Sequence, residues 1–354
     1  MTGSQGIPAG QAGYPAIPPS KGMASRATIH PRDGIIPGTG QVKDEMCGQV
    51  RSIAVCSADP SHDRRKIKHS CNRLECPECF PRVLHRNSEA LASRVQGYRL
   101  ALAQGQTTLE GQYRAKPRAP RQGVLSPPQK VINAVYDRSR KALDKLGEPY
   151  TSQDLQAVYL EKFRYETYKA LDTLGVDGAG VVIHFYRVTD EGKALHKISG
   201  TALPRWAWLQ KQDDWQSLVY FSPHVHLMFY GMAIDTDKFY DESDGWTFKN
   251  KGDIYDAEGF AYYILSHAPV IKDRLSVTYW GCLSPRKLKA VDTFIQKDEV
   301  LCEKCGAVLV FASLDENGEI QNITDRPLYH KKRIRVYALA AAPPDEQIKE
   351  KVEK

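Results

Sequence analysis

The sequence predicts an α+β fold built on an antiparallel β-sheet with flanking helices, accompanied by cysteine modules. Two runs rich in β-branched and aromatic residues, GVVIHFYRV at 180–188 and LVYFSPHVHLMFYG at 218–231, read as strands. The run GFAYYILSHA at 259–268 reads as a helix that follows them. Eight cysteines, with two C-x-x-C spacings among them, indicate metal-binding modules beside this domain.

Length and composition suggest several parts. With 354 residues and 42% hydrophobic content, the chain can bury one sizeable core and carry smaller modules besides. We expect six segments. The first three are a disordered Gly/Pro-rich tail (1–45), a cysteine-rich module that contains a helix and binds zinc and DNA (46–110), and a basic Pro-rich linker (111–128). The last three are the central α+β domain (129–295), a zinc-ribbon-like module (296–340) and a charged tail (341–354).

Apolar residues at helical spacing predict three helices outside the motif regions. They cover residues 83–104, the segment from Val131 to Leu146, and the segment from Leu155 to Leu174. The dipeptide Asp177-Gly178 then ends the helical pattern before the first predicted strand. Near the other end, VLCEKCGAVLVFA at 300–312 predicts a cysteine turn that leads into an apolar strand.

Charge indicates a polyanionic partner. The formal net charge is +7, and the basic residues concentrate in HDRRKIKH at 62–69, YRAKPRAPR at 113–121 and HKKRIR at 330–335. Lysine and arginine near phosphates release counterions, which raises affinity for DNA or RNA.

Two other classes of protein are disfavoured. No run of about 18 apolar residues would span a bilayer, and the Gly/Pro-rich start lacks the apolar core of a signal peptide, so we expect a cytoplasmic protein with no membrane partner. No G-x-x-x-x-G-K-[ST] motif is present, so a built-in helicase motor is not expected.

The stretch SPHVHLMFYG at 222–231 holds two histidines one residue apart. Alternate side chains of a strand point to the same face, so His224 and His226 point together and can chelate one cation. The alternative is a pair of hydrogen-bonded histidines in a half-buried strand, and the pair needs support from elsewhere in the chain.

That support comes from the predicted helix AYYILSHAP at 261–269. Tyr263 and His267 are four residues apart and share one helix face, whereas Tyr262 points about 100° away. A phenol becomes a useful nucleophile when a metal polarises the electrophile and a nearby group helps remove its proton. The alternative is that both tyrosines are ordinary aromatic residues of an amphipathic helix.

The cysteines predict zinc. Cys76 and Cys79 form a C-x-x-C turn that suits tetrahedral Zn²⁺, and Cys71 lies close before it. We expect Cys56 as the fourth ligand, with His69 or Cys47 as alternatives. A second structural zinc is expected at Cys302 and Cys305, completed by the nearest further donors, Cys282 and His330.

Taken together, these motifs resemble the HUH endonucleases, and among them the rolling-circle replication initiators of small archaeal plasmids and viruses. The resemblance lies in PHVHLMFYG, in the tyrosine helix GFAYYILSHA, and in the flanking blocks GVVIHFYRV and TYWGCLS, which occur in the family's order over residues 175–285. The upstream segment CNRLECPECF is similar to the archaeal branch. The resemblance makes 129–295 an HUH nicking domain.

The resemblance implies metal-dependent cleavage of single-stranded DNA at a replication origin. His224 and His226 hold Mg²⁺ or Mn²⁺, and the third ligand is His267 or, as the second choice, His184. Tyr263 attacks a phosphodiester and leaves a 5′-phosphotyrosyl enzyme and a free 3′-hydroxyl, which a host polymerase extends with the help of a host helicase. His267 is alternatively the proton-transfer partner, and Tyr262 is the alternative nucleophile. Histidine ligands and phosphate oxygens together favour Mn²⁺.

Other functions stay open. One is a metal-dependent hydrolase that uses water in place of tyrosine, which the lack of Asp and Glu at 218–231 disfavours and the acidic pair at 213–214 keeps open. A zinc-containing DNA-binding regulator without catalysis would use the same histidines structurally, and a related transposase or conjugative relaxase would use the same chemistry. Three tryptophans between the two predicted strands, Trp206, Trp208 and Trp215, are candidates for stacking on bases.

Overall fold

The computed structural model describes residue 29 and residues 33–42, 44–103, 119–231 and 236–340. Most of the predicted tail 1–45, residues 111–118 of the predicted linker and the predicted tail 341–354 lie outside the described residues. Within these ranges the chain is a mixed α+β protein with antiparallel sheets, which confirms the predicted class.

Helices and strands are numbered in chain order. The helices are α1 (Phe80–Ala103), α2 (Gln129–Asp144), α3 (Ser152–Leu174), α4 (Asp190–Ile198), α5 (Arg205–Leu209), α6 (Thr236–Glu242) and α7 (Ala257–Leu265). The strands are β1 (Val50–Cys56), β2 (Arg64–Lys68), β3 (Arg121–Ser126), β4 (Gly178–Val188), β5 (Val219–Tyr230), β6 (Thr247–Asp253), β7 (Val270–Ile271), β8 (Arg274–Leu275), β9 (Val277–Gly281), β10 (Leu288–Glu299), β11 (Leu309–Leu314), β12 (Ile320–Pro327) and β13 (Tyr329–Leu339). Among these helices, none combines the length and the hydrophobicity that crossing a bilayer requires.

The central sheet has five strands in the order β6-β3-β5-β4-β9, and every neighbouring pair is antiparallel. The two predicted strands are therefore direct neighbours, with β5 in the middle. Their register sets His184 opposite His224 and Val182 opposite His226. Residues that face each other across an antiparallel pair lie on the same side of the sheet, so this register brings His184 to the face that carries the histidine pair.

Helices cover both faces of this sheet. On one face, Ile183, Val225 and Leu227 pack against α2 and α3 in the larger core. On the other face, Val182 and Met228 pack against α1 and α7 in a second core. Both faces are buried, which explains why β4 and β5 read as nearly continuous apolar runs in which the histidines stand out.

Helix α7 is short and begins at a defined cap. The Asp256 side chain accepts a hydrogen bond from the main-chain N–H of Gly259, which satisfies one of the free donors at the helix start. Its buried residues Ala261, Ile264 and Leu265 face α1 and the sheet. The helix ends at Leu265, so His267 follows directly after its last turn.

Arg121–Ser126, which we expected in the linker, is β3 of the central sheet. It pairs with β5 on one side and with β6 on the other. Prolines at 120, 127 and 128 bound the strand, and these residues made the segment read as a linker. Its length and alternating burial are nevertheless those of a strand.

The two cysteine-rich regions, predicted as separate modules at 46–110 and 296–340, share one sheet. Its four strands run in the order β12-β11-β1-β2, and β1 pairs with β11 with Ile53 opposite Ala312. A long two-stranded ribbon of β10 and β13 leads from the central domain to this sheet. Pairing between strands some 250 residues apart leaves no local periodicity, so the sequence pattern did not reveal it.

We predict that Gly281→Ala destabilises the protein by about 3 kcal/mol, because the new Cβ would collide with the main-chain oxygen of Asp177 and the backbone has a φ of +56°. Thermal unfolding followed by circular dichroism measures the effect. The control is Gly318→Ala, where φ is +81° but no atom lies within 4 Å of the new Cβ, so only about 1 kcal/mol is expected. Equal losses at both positions would contradict the proposed collision.

Candidate active site and metal centres

Four imidazoles meet where β4, β5 and the end of α7 come together. The ring of His184 lies 4.4 Å from that of His226 and 4.3 Å from that of His267, and His224 lies 5.2 Å from both His184 and His226. The structure therefore brings together the predicted histidine pair and both candidates for a third ligand.

The nitrogens that come closest belong to His184, His226 and His267. One ring nitrogen from each lies within 4.8 Å of the others, a spacing at which one metal ion can be shared. His224 lies at the edge of this group. The hydrogen bond between its Nδ1 and the Ser222 carbonyl, at 2.9 Å, makes Nδ1 the donor and leaves Nε2 as an acceptor. Both residues of the predicted pair are thus beside the site, with His226 inside the tightest set and His224 next to it.

Burial keeps these histidines neutral. Burial lowers the pKa of His184 well below its usual value, and the neighbouring His267, His226 and His224 lower it further, with only the main chain of Ile264 acting in the opposite direction. Burial, followed by the positive charge of Arg187, lowers the pKa of His226 to about 4. A neutral imidazole is the form that binds a metal.

The donor set fits a divalent cation. His184 is fully buried, and neither of its ring nitrogens makes a hydrogen bond of good geometry to a described residue. A buried polar atom without a partner is costly, and a metal ion at this position would remove that cost. Neutral imidazoles suit Mn²⁺, Zn²⁺ and other transition metals better than they suit Mg²⁺.

Trp206 orients His267. Its ring stacks on the imidazole at 4.8 Å with 13° between the planes. Trp206 is 9% exposed and Trp215 is 2% exposed, so these two rings have little surface left for the predicted base stacking, whereas Trp208 is only partly buried against the larger core. The sequence contained no signal for the contact between Trp206 and His267, because α5 is distant from α7 along the chain.

The two tyrosines of α7 have different surroundings. Tyr263 is 45% exposed, lines an open cavity and has its ring 5.1 Å from that of His267. Tyr262 packs against the core formed with α1, and burial raises the pKa of its phenol. Of the two phenols, only that of Tyr263 faces the histidines.

The cavity beside Tyr263 is positively charged. It has a volume of about 260 Å³, and its lining includes His224, His226, His267 and the cations Arg187, Lys193 and Arg205. Among the described residues of the lining there is no carboxylate, although Asp190, outside the lining, forms an ion pair of 2.7 Å with Lys193. The sequence analysis did not identify these three cations. The position of Arg187 on the same strand as His184 was the available signal. In the structure, Arg187 Nη2 donates a hydrogen bond to Ser126 Oγ at 2.9 Å.

The first cysteine cluster contains Cys47, Cys71, Cys76 and Cys79. Cys47 Sγ lies 3.3 Å from Cys79 Sγ and 3.9 Å from Cys76 Sγ, close to the separation of about 3.8 Å between sulfurs on one tetrahedral zinc. Cys47, one of the two alternatives, is thus the fourth member, and the expected Cys56 is not. His69, the other alternative, is also outside the cluster.

The second cluster joins Cys56 and His62 to the C-x-x-C pair Cys302 and Cys305. Cys56 Sγ lies 3.4 Å from Cys305 Sγ. The main-chain N–H of Asp59 is the largest influence on Cys56 and lowers the pKa of its thiol to about 7, towards the thiolate that zinc binds. Gly306 follows the pair with φ at +75°, as the metal-binding turn requires.

The expected partners of the second pair are elsewhere. Cys282 is buried beneath Gly178 at the edge of the central sheet, and His330 is exposed on β13 opposite Asp298. The pairing of β1 with β11 explains why Cys56 belongs to this cluster. It sets Cys56, at the end of β1, opposite Leu309, which follows the Cys302 and Cys305 turn in the chain. Both cysteine clusters can hold a structural zinc.

We predict that the two zincs have the pairing of the clusters described above. Cys56→Ala and Cys302→Ala should each lose one zinc, and the double variant should still lose only one, because both thiolates bind the same ion. Cys56→Ala combined with Cys76→Ala should lose two zincs. Elemental analysis of the purified protein gives the stoichiometry, and Cys282→Ala is the control that retains both. A Cys302→Ala protein with unchanged zinc content would contradict the second site.

We predict that acid destabilises the histidine cluster in the absence of added divalent cation. The folded-state pKa of His226, about 4, lies below the usual histidine value of 6.5, so its stabilising contribution of about 3 kcal/mol is present above pH 6.5 and is lost as the pH falls through 4. Urea unfolding between these pH values should therefore show a flatter pH dependence for His226→Gln than for the wild type. The zinc sites are common to both proteins, and parallel curves would contradict the assignment.

Comparisons of the chain with protein-family models, with curated proteins and with solved structures found no match.

Proposed function

We propose that this protein is an HUH-type endonuclease that nicks and rejoins single-stranded DNA at a replication origin and thereby starts rolling-circle replication. The observation that carries the proposal is the exposed phenol of Tyr263 beside a cluster of neutral imidazoles, in a cavity lined by cations and by no described carboxylate. A nucleophile, a metal-ligand set and a phosphate-binding surface are the parts that phosphodiester transfer to a protein requires.

His184, His226 and His267 would hold the divalent cation, with His224 beside them. When bound, Mn²⁺ or Mg²⁺ supplies Lewis-acid polarisation of the phosphodiester. Trp206, stacked on His267, would fix the orientation of that ring. The same packing separates the ligand nitrogens from bulk water, because His184 and His267 are buried.

The phenol oxygen of Tyr263 would attack the phosphorus of one phosphodiester. A bond forms between this oxygen and phosphorus, the bond from phosphorus to the 3′ oxygen breaks, and the proton lost by the phenol ends on the departing 3′ oxygen. The products are a 5′-phosphotyrosyl protein and a free 3′-hydroxyl. Reversal of the step rejoins the strand, and the 3′-hydroxyl is a primer for a host polymerase that works with a host helicase.

Arg187, Lys193 and Arg205 would bind the phosphates on either side of the reacting one. Arg187 is half-buried and held by Ser126, so its guanidinium is oriented before DNA arrives. The absence of carboxylates among the described lining residues also argues against a hydrolase that uses water, since such enzymes usually add acidic ligands.

We predict that the wild-type protein forms a covalent adduct with single-stranded oligonucleotides tiled from its parent replicon, and that Tyr263→Phe abolishes it. Tyr262→Phe is the matched control, because its phenol packs against the core and should not be needed. A denaturing gel detects the adduct. Mn²⁺ should support the reaction at least as well as Mg²⁺, because the proposed protein ligands are imidazoles.

Each other outcome has a distinct meaning. An adduct that survives Tyr263→Phe and disappears in Tyr262→Phe would make Tyr262 the nucleophile. Cleavage without an adduct would indicate a water nucleophile. Binding without cleavage across the whole replicon would favour a zinc-containing DNA-binding regulator, for which the two cysteine clusters and the basic surfaces would be sufficient.

A further inference from the structure

The ribbon of β10 and β13 carries a charge pattern that the nicking site does not use. Its register sets Thr293 opposite Arg335, Ile295 opposite Arg333 and Lys297 opposite Lys331. Residues that oppose each other across the ribbon share a face, so these three pairs lie on one face. We call these six residues the basic face. It carries four cations and no carboxylate at these paired positions.

Two of the three acidic residues of the ribbon lie on its other side, and the third, Glu299, lies at the end of the basic face opposite Tyr329. Asp292 is opposite Val336 and Asp298 is opposite His330, so both belong to the alternate set of positions. Asp298 accepts a hydrogen bond from the side chain of Gln296, also in that set, at 3.1 Å. From Thr293 to Lys297 the basic face is thus free of acidic residues, which the sequence HKKRIR alone does not indicate.

The cations of the basic face lack an acidic partner within the part of the chain that the structure describes. Among the described residues, no carboxylate forms an ion pair with Lys297, Lys331, Arg333 or Arg335. Lys297 and Lys331 directly face each other, an arrangement of like charges that weakens a sheet. Such repulsion costs stability in the free protein and is relieved when a polyanion binds.

Helix α1 forms the opposite wall of a groove along this face. The groove has a volume of about 270 Å³ and is lined by Arg86, Glu89 and Ala90 from α1 and by Ile295, Lys331, Arg333 and Arg335 from the ribbon. Glu89, the carboxylate of the lining, lies 3.6 Å from His85 Nε2. Helix α1 also packs against α7, which carries Tyr263, so the groove adjoins the domain that contains the proposed active site.

We propose that the basic face and α1 bind the phosphate backbone of duplex DNA, and so hold the double-stranded part of the origin beside the strand to be nicked. This inference rests on the proposed function in taking DNA as the partner. The major groove of B-DNA, about 12 Å wide, admits a two-stranded β-ribbon. Alternate residues on β13 are about 6.8 Å apart, so successive cations can reach different phosphates. Among the described residues that line the groove, none is aromatic, whereas surfaces for single strands usually stack bases on aromatic residues.

The test measures binding of a fluorescein-labelled duplex of arbitrary sequence to the full-length protein by anisotropy over a range of salt concentrations. Lys297→Gln combined with Lys331→Gln should weaken binding, and the slope of log K against log salt concentration should fall by about 2, one for each lysine that no longer binds a phosphate. This variant also removes the repulsion between the two lysines, so its melting temperature should not fall.

The matched control is Lys141→Gln combined with Lys145→Gln. Lys141 lies in α2 and Lys145 follows its last residue, and both are exposed. Helix α2 packs on the face of the central sheet opposite α1, so this variant removes the same charge far from the ribbon and should leave the slope unchanged. Arg333→Gln alone should reduce the slope by about 1. A slope unchanged in the ribbon variants, or reduced equally by the control, would overturn the inference.

A labelled single strand of the same sequence is tested in parallel. If the ribbon variants weaken single-strand binding as much as duplex binding, the groove is a single-strand surface and the inference is wrong. Adduct formation on a short single-stranded oligonucleotide should persist in these variants, because the basic face lies outside the Tyr263 cavity. If the nicking proposal is wrong, the wild-type protein will form no adduct. The salt dependence of duplex binding would still show whether the ribbon binds DNA.

Discussion

The antiparallel pairing of β4 with β5 is the constraint on which the rest of the site depends. It sets His184 opposite His224 and turns both residues, together with His226, towards α7. Because side chains alternate along a strand, a shift of one residue in this register would move His184 into the apolar layer against α2 and α3. The larger core on that side, which includes Ile183, Val225 and Leu227, makes such a shift unfavourable.

The position of α7 follows from packing on the same sheet. Its apolar residues face α1 and Met228, and this leaves Tyr263 on the exposed side and His267 beyond the last turn, against Trp206. The imidazole cluster is therefore held by two cores at once, one on each face of the sheet. A buried imidazole whose ring nitrogens have no partner is costly, so the stability of this region depends on pH and would also depend on a divalent cation bound at the proposed site.

The cysteine clusters solve a different physical problem. The sheet of β1, β2, β11 and β12 has only small apolar clusters, which include Val55, Val310 and Leu309. A small core supplies little stability, and metal cross-links between distant segments would compensate for that. With a metal bound, the cluster of Cys56, His62, Cys302 and Cys305 would join β1 to the turn before β11. The other cluster lies at the start of α1, where a metal would anchor the sheet to the central domain.

The sequence by itself determined the α+β class, the two central strands, the tyrosine helix and the histidine pair, because these depend on local periodicity of 2 or 3.6 residues. It also determined that each C-x-x-C pair belongs to a cluster that can hold a metal, because ligand spacing within a turn is local. Only the tertiary structure decided that Cys47 and Cys56 belong to different clusters, that Tyr263 rather than Tyr262 faces the cavity, and that Arg121–Ser126 is a sheet strand. These features depend on strand pairing and helix packing between segments far apart in the chain, and such pairing leaves no mark on the neighbouring residues.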